Sequence, residues 1–295
     1  MFPQFICIGA AKSGTTWLHQ NLKRHPEVWL PPFKELHYFD HLSSKPTAID
    51  LLSRRFGRFK LRRIAKRLWR KKGQDIGWFL RYLFLPRSDN WYASLFSPTM
   101  GQIAGEICPE YDTLDEKIVA HIHTLMPNLK IIYLIRNPIH KMWSQAAMRY
   151  RRYGEQGIDT IEEETIKKYL DAQTTYRRSH YLKTLQIWES IYPKEQLFIG
   201  YFEQLQQNPR QLLSEIHQFI EVDSFEQYLP DEVRKNPNPG HYPAIPAHFV
   251  HHLARQHHEH LKALHQKLDN PYTANWLEFA EHYLCIEDGQ KTDND

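Results

Sequence analysis

Short, wholly apolar runs that end at a glycine or at a helix-starting residue punctuate the chain. The first is Phe5-Ile6-Cys7-Ile8, stopped by Gly9. A run with no polar alternation is the pattern of a strand buried on both faces, as in a parallel sheet. A glycine-bounded loop follows to Gly14. Thr15 or Thr16 then starts a helix carrying Trp17, Leu18 and Leu22, which His25-Pro26 ends. Lys130–Ile135 is a second such run, and Asn137-Pro138 after it supplies an N-cap and a first helical residue for a helix reaching about Tyr150. Between the two, Gln102–Cys108 reads as a strand, and Leu114, Ile118, Ile122 and Leu125 recur at the spacing of a crossover helix. Beyond residue 155, Tyr181, Leu185, Trp188 and Ile191 make a helical stripe. Residues 196–201 read as a last strand, 208–220 and 247–268 as helices, and the proline-rich stretch 228–246 as a lid-like loop. The expected architecture is α/β: a P-loop-like, three-layer fold whose parallel sheet, with 130–135 as a central strand, is flanked by helices and carries helical elaborations. A single domain over 1–295 is expected, with 42–90 as a basic helical insertion.

Composition narrows the functional classes. With 295 residues, 41% hydrophobic and 24% charged, the chain has material for a large core, and wholesale disorder is excluded. No apolar run approaches the ~20 residues of a membrane span. The opening residues lack a basic n-region, and the three cysteines (Cys7, Cys108, Cys285) are too few for a disulfide framework. A cytoplasmic protein with reduced thiols is expected. The net charge of +4 hides an asymmetry. Residues 54–72 carry eleven Lys/Arg and no acid, leaving 27 cations against 34 acids elsewhere. An acidic body with one basic belt argues against nucleic-acid binding. Phe56, Phe59, Ile64, Leu68 and Trp69 interleave with those charges, so the belt reads as a solvated helix or as a contact for an anionic membrane or acidic polymer.

The chemistry begins at the first loop. Strand, glycine turn and helix start together present free N–H groups of residues 13–17 and the positive end of a helix dipole to an anion. The spacing of Gly9 and Gly14 is that of a P-loop, but Thr15 stands where the lysine belongs and Lys12 lies three places earlier. The strand 130–135 runs into Arg136 rather than an aspartate for Mg²⁺. The anion is therefore expected to be handled by Lys, Arg and backbone donors, with no metal. Arg136 offers a planar fork to a second anionic group, and Ser144, two turns into the next helix, a hydroxyl.

FICIGAAKSGTTWLHQNL resembles the 5′-phosphosulfate loop of the sulfotransferases, and LIRNPIHKMWS their 3′-phosphate motif, R-D-P-x-x-R-x-x-S. HPEVWLPPFKELHYFD, GEICPEY and YFEQL resemble segments of the bacterial and heparan-sulfate-type branch. The resemblance implies sulfuryl transfer from 3′-phosphoadenosine 5′-phosphosulfate to a small-molecule, lipid or glycan acceptor. It implies that Lys12 contacts the bridging oxygen and the sulfate, that Ser13, Gly14, Thr15 and Thr16 hold the 5′-phosphate, and that Arg136 and Ser144 hold the 3′-phosphate. Glu35 stands at the position of the catalytic base, with His37 beside it. Three positions depart from the pattern: Asn137 replaces Asp, Lys141 replaces Arg, and Ile107 replaces the lysine of E-K-[ST]-P, next to Cys108. The last favours a smaller or less acidic acceptor than a sulfated glycan.

Seven histidines lie between 248 and 265, but H-E-x-x-H fails at Lys262, and a polar, solvated helix face is expected. Arg234, Lys235 and His241 in the lid are candidate phosphate contacts. Tyr181 is either near the adenosine or, as its stripe suggests, in the core. Two rival readings stay open: a P-loop-type kinase or nucleotidase of unusual form, and a non-catalytic module that binds a nucleotide or anionic polymer.

Overall fold

The computed structural model describes residues 1–43, 75–152, 157–173, 179–228 and 242–292. The basic belt 54–72 and the lid residues Arg234, Lys235 and His241 lie outside them. Five strands, β1 (Phe5–Gly9), β2 (Val28–Trp29), β3 (Ile103–Ile107), β4 (Lys130–Ile135) and β5 (Leu197–Tyr201), form one sheet in the order β2-β3-β1-β4-β5, every pairing parallel. The middle strand is β1, with 130–135 beside it. Two-residue β2 lies in an apolar run of only three residues, Val28-Trp29-Leu30, cut off by Pro31-Pro32, which is why its pattern did not predict it.

Alternation along β1 and β4 divides the interior into two layers. Ile6, Ile8, Ile131, Tyr133 and Ile135 face one core; Phe5, Cys7, Ile132 and Leu134 face the other. The second core is closed by Trp17, Leu18 and Leu22 of α1 (Thr15–Leu22), and by helices at 202–207 and 209–219 that follow β5. The first is larger. It takes α2 (Phe39–Ser43), α3 (Ile76–Phe84) and α4 (Asp89–Ser94), then α5 (Glu116–Leu125), α6 (Pro138–Arg152), α7 (Glu163–Asp171) and α8 (Tyr181–Glu189). Following α9 (Phe202–Gln207) and α10 (Pro209–Phe219), the chain ends in α11 (Ala247–Leu268) and α12 (Pro271–Thr292). In the 75–90 part of the expected insertion, Trp78, Phe79 and Tyr82 pack edge-to-face on Phe33. Opposite Phe5, Gly105 is required by space: a Cβ there would lie 2.0 Å from the phenyl ring.

The expectation of a solvated histidine face on α11 fails for two residues. His257 is fully buried and His260 nearly so, on the same stripe as Leu253, Leu261 and Leu264. Burial, reinforced by neighbouring positive charge, pushes both imidazoles down to a pKa of about 3, so they sit in the core uncharged. Cys7 and Cys108 are buried thiols and Cys285 is exposed. Among the described residues no helix is long and apolar enough to cross a membrane.

Candidate active site

All five strands run the same way, so the loops after β1, β3, β4 and β5 open on one edge of the sheet, where ligands bind in such folds. A cleft of about 560 Å³ lies there, lined by Lys12, Gly14, Thr15, Thr16, Lys34, Glu35, Glu110, Arg136, Ser144, Phe202 and Tyr242, among others.

The floor is the turn into α1. Lys12 has φ 68° and Gly14 φ 96°, so the chain doubles back tightly before the helix. Gly14 is the N-cap, and Leu18 N closes the first helical bond on Gly14 O at 3.0 Å. The N–H groups of Thr15, Thr16 and Trp17 are then the leading donors of the helix, directed at the cleft with its positive dipole end. Ser13 departs from expectation. Its N–H is spent inside the loop on Ala10 O at 3.2 Å, and its side chain is fully buried, away from the cleft. The tightness of the turn is the cause.

Arg136 leaves the end of β4 and crosses to the loop: its Nη1 donates to Lys12 O at 3.3 Å, and its guanidinium lies 4.3 Å from the centre of the Phe202 ring. Tyr181 explains its backbone position, since the phenol donates to Arg136 O at 2.7 Å. The tyrosine is fully buried and packs edge-to-face on Tyr133, a core residue that props the arginine. Asn137 caps α6 by accepting from Ile139 N at 2.9 Å, which brings Ser144 to the cleft wall. Lys141 is turned inward, fully buried, its Nζ 3.5 Å from Ser179 Oγ. Lys12 sits among cations. Burial, then the charges of Arg136 and Arg151, lowers its pKa, and an anion in the cleft would relieve that repulsion.

The opposite wall is the segment 34–38, whose backbone N–H groups are pinned to the end of β3 and to the turn after it. Glu35 N donates to Ile107 O at 3.1 Å, Leu36 N to Glu106 Oε1 at 3.0 Å, and Tyr38 N to Tyr111 Oη at 3.1 Å. Glu35 and His37 take left-handed backbone, φ 66° and 56°, uncommon for residues with side chains and held here by those bonds. Lys34 Nζ bridges Thr15 Oγ1 (3.2 Å), Thr16 Oγ1 (3.4 Å) and Glu35 Oε1 (3.1 Å). Lys34 thus joins this wall to the floor. Its sequence pattern shows only a neighbour of Glu35, because the threonines it meets are 18 and 19 positions away.

Behind Glu35, His37 Nδ1 is 2.9 Å from Asp40 Oδ2, and its Nε2 is 3.8 Å from Glu35 Oε2. Burial opposes a charge on His37, but the hydrogen bond to Asp40 and the charges of Asp40, Glu35 and Glu110 outweigh it and raise its pKa. Glu106 is the buried anchor of this wall. It accepts from Leu36 N, from Tyr92 Oη at 2.5 Å and from Tyr111 Oη, and burial pushes its pKa up to about 7 despite those donors.

A model described as the sulfotransferase family matches residues 3–227. The fold is similar to the crystal structure of a sulfotransferase from Alicyclobacillus acidocaldarius: 20% identity, covering 94% of this chain and 99% of that one, TM-score 0.64. The sulfotransferase domain of the Synechococcus PCC 7002 olefin synthase is matched at 19% identity over 95% of this chain and 94% of that one, TM-score 0.46. No curated protein sequence matches the chain.

Proposed function

The chain belongs to the sulfotransferase family, and from that premise we propose that it moves the sulfuryl group of 3′-phosphoadenosine 5′-phosphosulfate to a hydroxyl or amine. The observation that carries this reading is the contact between the two anion-binding loops: Arg136 reaches Lys12 O, so the cations after β1 and after β4 share one cleft. One donor molecule with two phosphates matches two adjoining cation sites.

The co-substrate supplies an activated sulfuryl group on a phosphate oxygen. The helix donors at Thr15 and Thr16 and their hydroxyls would hold its 5′ end, and Arg136 with Ser144 its 3′-phosphate. Lys12 would stabilise the negative charge that the bridging oxygen gains as the S–O bond breaks. Glu35 would take the proton of the attacking hydroxyl or amine as the new bond to sulfur forms. Lys34, tied to both Glu35 and the threonines, would orient the base and move toward the anion. Positive charge for transfer comes from Lys12, Lys34 and Arg136. Glu35 and Glu110 line the facing wall, and buried Ile107 stands where a lysine was expected from the family pattern. An uncharged or amine acceptor suits that wall better than a sulfated one. In this reading the chain acts in the cytoplasm as one domain, and 54–72 serves a peripheral contact with an anionic surface.

The test is calorimetry with 3′-phosphoadenosine 5′-phosphate in chelator, on wild type and Arg136→Ala. Micromolar or tighter binding, weakened at least tenfold or about 1.4 kcal/mol in the variant, is expected. Failure to bind, with ATP·Mg²⁺ binding instead, would favour the kinase reading.

A further inference from the structure

Behind the wall that carries Glu35, three residues from two parts of the chain converge. His37 Nδ1 and Asp40 Oδ2 are 2.9 Å apart, and Cys108 Sγ is 3.8 Å from the same nitrogen. All three donor atoms lie within 4.8 Å of one another. Nitrogen, carboxylate oxygen and sulfur together are a ligand set for Zn²⁺ or a similar borderline ion, not for Mg²⁺ or Ca²⁺. A tetrahedral ion with bonds of about 2.0–2.3 Å sets its ligand atoms about 3.3–3.6 Å apart. The histidine–cysteine distance is already near that value, and the histidine–aspartate distance has only to open by a few tenths of an ångström.

We infer that His37, Asp40 and Cys108 form a site for a thiophilic divalent ion of the Zn²⁺ class, with its fourth position open toward solvent.

Three further observations support it. Cys108 is fully buried at the end of β3, while His37 and Asp40 are partly exposed, their side chains 28% and 20% accessible, so an ion has a way in past them. The other ring nitrogen, His37 Nε2, faces Glu35 Oε2 at 3.8 Å. A metal-bound imidazole whose second N–H is turned to a carboxylate is the usual outer-shell arrangement of zinc sites. Finally, the local field is negative: Glu35, Asp40 and Glu110 all act on His37. Binding would form bonds from the metal to Cys108 Sγ, His37 Nδ1 and Asp40 Oδ2 as the Cys108 thiol and His37 Nδ1 release their protons to solvent, His37 keeping a hydrogen on Nε2, and no electron changes hands. The site does not depend on the proposed transfer chemistry, although an ion there would draw Glu35 toward His37.

The test uses the full chain, purified in chelator and dialysed free of it. Zn²⁺ is titrated calorimetrically, and Co²⁺ by absorption. The expected result is one ion bound at micromolar affinity or tighter, with a thiolate-to-cobalt band in the near ultraviolet and visible bands of tetrahedral Co²⁺. Cys108→Ser, which puts there a residue of the family's own E-K-[ST]-P pattern, should abolish the near-ultraviolet band and weaken Zn²⁺ binding at least a hundredfold. Asp40→Asn, keeping shape without charge, should weaken it at least tenfold. Binding of 3′-phosphoadenosine 5′-phosphate by the Cys108→Ser protein reports separately on the fold and the donor site. Absence of Zn²⁺ binding by wild type would overturn the proposal. So would binding that is unchanged in both variants, which would assign the ion to the histidines of α11.

Discussion

The N–H of Leu36 donates to Oε1 of Glu106 at 3.0 Å, across 70 residues of sequence. This bond fastens the segment that carries Lys34, Glu35 and His37 to the carboxyl end of β3. Glu106 is buried to 0% exposure and holds two tyrosine hydroxyls besides. It therefore positions the candidate base without touching the cleft.

Replacing Glu106 should reveal that role through pH. Its folded pKa, about 7, lies above the ordinary carboxyl value because burial penalises the charge. Its stabilising contribution is then complete below about pH 4.5 and is lost as pH rises through about 7. Glu106→Gln retains an oxygen for Leu36 N but does not titrate. Urea unfolding at pH 5 and pH 8 should show the variant gaining on wild type by up to about 3 kcal/mol toward the higher pH. Glu106→Ala leaves Leu36 N unpaired and a cavity behind it, and should cost about 3 kcal/mol at pH 5 and much less at pH 8, where wild type has lost the carboxyl's contribution. A Gln variant with the same pH slope as wild type would assign the slope to another group.

The buried histidines act with the opposite sign. His257 and His260 are held near pKa 3, and His140 and His217 near 4, each chiefly by burial. An unfolded imidazole takes a proton near pH 6.5, and these cannot. Their contribution is present above pH 6.5 and is lost as pH falls from there toward 3. Denaturant midpoints should drop steeply between pH 6.5 and 5, and His257→Leu should flatten that drop.

How much of this was legible from sequence depended on distance along the chain. The first strand, its glycine turn and the helix after it are contiguous, so spacing alone predicted them, and the same holds for β4, Arg136 and the capped α6. Residues joined by folding were not visible. The bridge from Lys34 to Thr15 and Thr16 and the meeting of His37 with Cys108 need the sheet to bring β1 and β3 side by side. His257 and His260 misled because histidine is intermediate in burial and its place on a face does not say which way the face turns, and only the packing of α11 shows that their stripe faces the core. Ser13 was assigned to the anion because the free donors were counted from the first residue of the motif. The bond from Ser13 N to Ala10 O shows that the turn uses the first of those donors itself.

Gly14 should tolerate no side chain. Its φ of 96° disfavours other residues, and a Cβ would lie 2.6 Å from Leu205 Cδ1 of α9. Gly14→Ala is expected to destabilise the fold by about 2 kcal/mol from backbone strain and overpacking. Because the turn aims the leading N–H groups of α1, nucleotide affinity should fall more than tenfold in protein that remains folded. Thermal unfolding and calorimetry on the same sample separate the two effects.

Glu35→Gln separates binding from chemistry. The carboxylate faces the cleft across from Lys12, and Lys34 Nζ holds it at 3.1 Å. The amide keeps the size and one acceptor oxygen for Lys34, but it cannot accept the acceptor's proton. Loss of a general base costs about 10²–10⁴ in rate. Turnover on the best acceptor from a panel of alcohols, phenols and amines should fall by that factor, while affinity for 3′-phosphoadenosine 5′-phosphate stays within about twofold. Lys12→Ala should lower both turnover and affinity, since on the proposed reading the lysine would meet the donor in the ground state as well as along the reaction. Equal losses of affinity in both variants would move Glu35 from proton transfer to donor binding, and the base would then have to be sought in His37, which sits next to it.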